Sequence, residues 1–218
     1  AKMELYSDIV SPPCQNVLLV AKKLGIALNT KKTNIMDAAD VAELTKVNPQ
    51  HLIPTFVEDD GHVIWESYAI AIYLVEKYGQ DDALYPKDPK VRSIVNQRLF
   101  FDIGTLYKNI LANIDVLIEK QQPSAELRGK LEQALDLTEK FVTECRFVAA
   151  DHLTLADIFM LGSITALEWF RYDLERYPGI RGWVERVTAQ FPDYSDFHKE
   201  IREATKQYVA THCPHLEY

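Results

Sequence analysis

The chain has 218 residues, 47% hydrophobic and 26% charged, with a formal net charge of −8. That balance fits a globular protein with a sizeable core, long enough for one large domain or two ordinary ones. The acidic excess argues against nucleic acid and anionic membrane surfaces as partners, since phosphates would be repelled.

No apolar run has transmembrane length, and no basic-then-apolar leader opens the sequence. Cys14, Cys145 and Cys213 are odd in number and widely scattered, neither a disulfide framework nor a zinc spacing. A cytoplasmic, reducing environment and no metal site are therefore expected.

Met3–Tyr6 reads as a short strand, followed by a proline-stiffened loop, Ser7 to Cys14. Val17, Val20, Ala21 and Leu24 then recur at helical spacing, with Pro13 suited to the first turn and Gly25 to the stop. Leu28–Thr33 reads as a second strand and Asp37–Lys46 as a polar helix. Pro54 cannot donate to a ladder, so it belongs at the entrance of the strand Thr55–Glu58. A cis Ile53–Pro54 bond would aim the Ile53 N–H and C=O outward. Asp59-Asp60-Gly61 turns that strand into Val63–Trp65, and a helix follows over Ala69–Tyr78. The resulting β-α-β-α-β-β-α order needs one crossover and one hairpin, hence a mixed sheet.

Gly79–Val91 is polar and carries Pro86 and Pro89, so the chain divides into a domain over 1–79, a linker over 80–91 and a domain over 92–218. Beyond the linker every long segment has helical periodicity. Leu127, Leu131, Leu135 and Phe141-Val142 make one stripe; Ile180, Trp183, Val184 and Val187 make another; Phe197, Ile201, Ala204 and Tyr208 make a third. Asp157–Trp169 is apolar on nearly every side and is expected as the central buried helix. Thr154 and Asp157 stand at its start in capping-box spacing, flanked by the staple pair Leu153 and Ile158.

Two stretches carry chemistry. Ser11-Pro-Pro-Cys14 has the spacing of a thioredoxin-type Cys-x-x-Cys, in the matching place, with serine for the first cysteine. A hydroxyl cannot exchange disulfides, but at a helix N-terminus it can donate to a thiolate carried by a ligand. Capping of the first helix is the plain alternative for Ser11, and core packing the plain alternative for Cys14. The second stretch, Asn48 to Tyr68, offers an outward backbone edge at Ile53, the imidazole of His51, and Glu66-Ser67 at a helix N-terminus. Those parts suit a small peptide bearing carboxylates.

Ser11-Pro-Pro-Cys14, Asn48-Pro-Gln-His-Leu-Ile-Pro54-Thr, Trp65-Glu-Ser67, Leu84-Tyr-Pro-Lys87, Asn96 to Asp102 and Leu153-Thr-Leu-Ala-Asp157 follow one another across nearly the whole chain. In this the sequence resembles the cytosolic glutathione transferases, most of all the insect Delta class. The resemblance implies an α/β thioredoxin-like N-terminal domain, an all-α C-terminal helical domain and a homodimer. It implies conjugation of reduced glutathione, a co-substrate rather than a cofactor, to hydrophobic electrophiles in xenobiotic and insecticide detoxification.

Carried over by motif, Ser11 would stabilise the glutathione thiolate. Ile53, beside the cis proline Pro54, would pair with the cysteinyl unit. His51 would meet the glycyl carboxylate, and Glu66 with Ser67 the γ-glutamyl end. Tyr107, Ile110 and Leu111 share one helix face, at i, i+3 and i+4. The resemblance implies that this face lines the electrophile pocket where the two domains meet, with Tyr208 closing it.

Two departures from the family pattern stand out. Tyr68 replaces the arginine usual after Glu-Ser, and Met36 to Asp40 lacks a second histidine often found there. Two other functions compete with conjugation: thiol-disulfide exchange at Cys14, and non-catalytic carriage of apolar ligands.

Overall fold

Leu5 and Phe56 are fully buried and face one another in antiparallel register on the two central strands of the sheet. The computed structural model describes residues 3–216. It separates into two units, one ending at Tyr85 and the other beginning at Pro86.

The first unit holds β1 (Glu4–Ser7), α1 (Pro12–Leu24), β2 (Asn29–Lys32), α2 (Ala38–Thr45), β3 (Thr55–Val57), β4 (Val63–Trp65) and α3 (Ser67–Tyr78). The sheet order is β2-β1-β3-β4, with β1 and β2 parallel and the other pairs antiparallel. This is the mixed, thioredoxin-like sheet that the element order requires. β2 is exposed along its length, as suits a polar edge strand. α1 ends at Gly25, whose φ of 67° is the left-handed conformation that glycine adopts without a Cβ clash. α1 and α3 pack together, and Val17 and Val20 on the one and Ile70 and Leu74 on the other are fully buried.

Glu58, just past β3, is a buried carboxylate with a full set of donors. Lys77 Nζ lies 2.7 Å and the Tyr73 hydroxyl 2.5 Å from Oε2, and the Tyr78 hydroxyl donates to Oε1. Burial pushes its carboxyl up, but Lys77, Tyr73 and Tyr78 outweigh that and hold it at about 2. The cluster ties the end of α3 to the hairpin turn.

The second unit is all helix: α4 (Pro89–Phe101), α5 (Tyr107–Ile118), α6 (Ala125–Glu144), α7 (Leu155–Thr165), α8 (Pro178–Thr188) and α9 (Tyr194–His212). α4 therefore begins inside the expected linker, with Asp88 accepting from Lys90 N and Val91 N as its cap. Asp102–Leu106 joins α4 to α5 as one wide π turn, closed by the Tyr107 N–H on the Asp102 carbonyl. The expected helix Asp157–Trp169 begins earlier, at Leu155, and tightens after Thr165 into a 3-10 turn, Ala166–Phe170. α7 is buried on nearly every side.

Asp157 anchors α7 from its first turn. Its carboxylate accepts from Val148 N, Thr154 N, Thr154 Oγ1 and Trp183 Nε1, all at 2.8–2.9 Å. Burial pushes this carboxyl up, and the four donors pull the other way. The staple residues Leu153 and Ile158 are both buried.

Candidate functional site

Sheet register brings three separate stretches to one end of the first unit. Tyr6 pairs with Thr55, and Thr55 with Trp65. The chain leaving β1, the chain entering β3 and the chain leaving β4 therefore share that edge. They carry Ser11, Ile53-Pro54 and Glu66-Ser67 respectively.

The first stretch is braced. Asp8 accepts from Val10 N through its carboxylate and from Ser11 N through its carbonyl, both at 3.0 Å. Gln15, buried in α1, donates to the Ile9 carbonyl at 2.8 Å. Ser11 is the N-cap residue of α1, with extended backbone, yet its side chain makes no capping bond. The plain alternative for this serine is absent, which leaves its hydroxyl at a helix N-terminus. One neighbour it does have is the Cys14 thiol. Cys14 is fully buried, and burial pushes its thiol up to about 12 against smaller pulls from the Ser11 side chain and Asp8 backbone. It is a core residue, and exchange chemistry at Cys14 is not favoured.

The second stretch winds around Asn48, which is fully buried. Its Nδ2 donates to the Leu52 carbonyl and Thr55 Oγ1, at 3.1 and 2.9 Å, and its Oδ1 accepts from Gln50 N at 2.9 Å. Its carbonyl takes His51 N. The Ile53–Pro54 bond is cis, Pro54 is buried, and Ile53 is half-buried. His51 is exposed with a φ of 43°.

In the third stretch Glu66 is exposed, with φ 71° and ψ 108°, and Ser67 is buried as the first residue of α3. Positive φ is uncommon outside glycine, and Glu66 in particular is not a residue type that settles there readily; such outliers gather where a backbone is shaped for a ligand. Among the described residues, the side chains of His51, Glu66 and Ser67 have no hydrogen-bond or ion-pair partner. The candidate site thus offers a hydroxyl, an imidazole, a carboxylate and a helix N-terminus beside a braced backbone edge.

Comparison with known families settles the lineage. The profile for the glutathione S-transferase N-terminal domain matches residues 5–82, and that for its C-terminal domain residues 91–190. The chain belongs to the glutathione S-transferase family. This transferase is 60% identical to glutathione S-transferase 1-6 from Anopheles dirus species B, covering 95% of this chain and 99% of that one with a TM-score of 0.93. It is 40% identical to a delta-class glutathione transferase of Nilaparvata lugens, covering 96% and 99% with a TM-score of 0.89. With glutathione S-transferase D7 of Anopheles gambiae it shares 39% of 211 residues, 94% of each chain. Its kinship is with the insect Delta class. Glutathione is a co-substrate in this family, and the transferase conjugates it.

The remaining expected residues lie on the helical unit. Tyr107 opens α5 half-buried, Ile110 is fully buried beneath that face, and Leu111 is 39% exposed. Tyr208, on α9, is half-buried against Trp169. Tyr68, the departure after Glu-Ser, is the second residue of α3 and half-buried. Sequence reasoning missed Asn48 and Gln15 as braces and Asp102, buried in the π turn and bonded to Ser163 Oγ at 2.6 Å. Polar residues in apolar surroundings were the available signal for all three. No helix among the described residues is long and apolar enough to cross a membrane.

Proposed function

We propose that reduced glutathione lies along the sheet end built by Ser11, Ile53-Pro54 and Glu66-Ser67, and that the Ser11 hydroxyl holds its sulfur as thiolate. Ile53 pairs its backbone with the cysteinyl unit, His51 meets the glycyl carboxylate, and Glu66 with Ser67 hold the γ-glutamyl end. The thiolate attacks an apolar electrophile carried by Tyr107, Ile110, Leu111 and Tyr208. The residues over 1–79 form the glutathione-binding domain and those over 92–218 the electrophile-binding one.

The energetics need no general base. A thiol titrating near ~8.5 requires roughly 2.7 kcal/mol to be half-ionised near pH ~6.5. A hydrogen bond to a charged acceptor supplies about 1.5–3 kcal/mol, and a helix N-terminus roughly 0.3–1 kcal/mol more. The observation that carries this reading is the Ser11 side chain, which sits at the head of α1 without capping it. The enzyme works as a cytoplasmic homodimer, and its electrophiles include insecticides, as the name of a diazinon-metabolizing relative from Bombyx mori suggests at 28% identity. The pH profile of kcat/KM with an activated aryl halide tests the assignment. The parent should lose activity below about pH 6.5, and Ser11→Ala should shift that limb toward the free-thiol value.

A further inference from the structure

Glu168 and Trp169 are consecutive residues of the 3-10 turn Ala166–Phe170, and both reach α9. The Glu168 carboxylate meets His198 Nε2 at 3.1 Å and Arg202 Nε at 3.6 Å. The Trp169 indole meets the Tyr208 ring edge-on, with 5.8 Å between centroids, and Tyr208 rests on the His212 ring at 4.6 Å. Between His198 and Tyr208 the helix rises ~15 Å, so the turn is fixed to α9 at two well-separated points. Tyr194 stacks on His198 with 5.7 Å between ring centroids.

The same turn also packs against α5, the helix of Tyr107 and Leu111. Trp169, Phe170 and Tyr208 are all half-buried, neither sealed in the core nor left in water. An edge-on pair leaves a ring face uncovered by its partner, and such a face is where a flat aromatic ligand gains most from stacking. We infer that Trp169 is a specificity residue for aromatic electrophiles, presented together with Tyr208, and that Glu168 is its positioning residue. The inference deepens the transferase reading and rests on its placing the electrophile on the helical unit. The Glu168 clamp is partly exposed and therefore weak as a stabilising pair; what it restricts is the orientation of the turn.

Kinetics with dinitrochlorobenzene and with acrolein, a small aliphatic electrophile, separate this role from a structural one. Trp169→Ala should raise KM for dinitrochlorobenzene about three- to tenfold, leaving KM for glutathione and turnover of acrolein unchanged. Trp169→Phe should stay within about twofold of the parent. Glu168→Gln should raise the aromatic KM about two- to threefold at unchanged kcat. Equal losses with both electrophiles, or no change in the aromatic KM, overturn the proposal. A second readout needs no turnover. Trp183 is fully buried and Trp65 is half-buried in the sheet, so dinitrochlorobenzene should quench fluorescence more in the parent than in Trp169→Phe, and the difference reports Trp169. Were the parent inactive, the thiolate reading would fall, and this difference would still decide the role of Trp169: its presence supports it and its absence overturns it.

Discussion

The buried Asn48 amide donates to the Thr55 hydroxyl at 2.9 Å, joining the start of the His51 loop to the first residue of β3. The Thr55 hydroxyl in turn donates to the Leu52 carbonyl at 2.8 Å, so the loop closes on itself around one side chain. Asn48→Ala removes three hydrogen bonds and leaves Gln50 N without its partner. A loss of about 2–4 kcal/mol in urea unfolding is expected. The variant should also show a several-fold rise in KM for glutathione, because His51 and Ile53 are carried by that loop.

Glu58 makes a contribution to stability that depends on pH. Its carboxyl sits at about 2 in the folded protein, below the ~4.3 of an unfolded glutamate. A depressed carboxylate stabilises fully above the unfolded value and loses that contribution as pH falls through the folded one. With Lys77 43% exposed, the expected size is about 1–2 kcal/mol. Glu58→Gln should lower Tm at neutral pH and lose less further stability than the parent between pH ~4.5 and ~2.5. Thermal melts across that range measure both.

Asp157 and Trp183 are the corresponding anchor of the helical unit. Asp157→Ala strands the Trp183 N–H and the backbone N–H groups of Val148 and Thr154 in the core. A cost of about 3–5 kcal/mol is expected. Trp183→Phe, which removes one donor and little volume, should cost about 1–2 kcal/mol. Both effects should appear in denaturant midpoints, with KM for glutathione in the folded fraction unchanged.

Cys14 should be silent in catalysis. Its thiol is fully buried and pushed up to about 12, whereas Cys145 is exposed. Iodoacetamide labelling of the native protein at neutral pH should modify Cys145 and spare Cys14, as peptide mass mapping would show. Cys14→Ala should keep conjugation within about threefold of the parent while losing about 1–2 kcal/mol of stability.

Much of the first unit is legible because its signals are local. Pro54, the Asp59-Asp60-Gly61 turn and Gly25 each impose a backbone geometry by their own chemistry, and the structure has a cis bond, a hairpin and a left-handed stop there. Strand ends moved by about a residue, as at β1, because ladder partners decide them. What stayed hidden depends on distant partners. Nothing in Ser11-Pro-Pro-Cys14 says whether the serine caps its helix. Glu66 gives no hint of positive φ, because its residue type does not favour it. Periodicity marks which side of Asp157–Trp169 is buried but not the residues per turn, so the tightening at Ala166 and the π turn at Asp102 went unseen. Asp102 finds Ser163 sixty-one positions away, beyond the reach of any local pattern.

The most direct measurement is an ultraviolet titration of the thiolate of glutathione bound to the enzyme, compared between the parent and Ser11→Ala. The bound thiol should titrate with an apparent pKa near ~6.5 in the parent and return toward ~8.5 when the hydroxyl is removed. Identical titrations in the two proteins would contradict this.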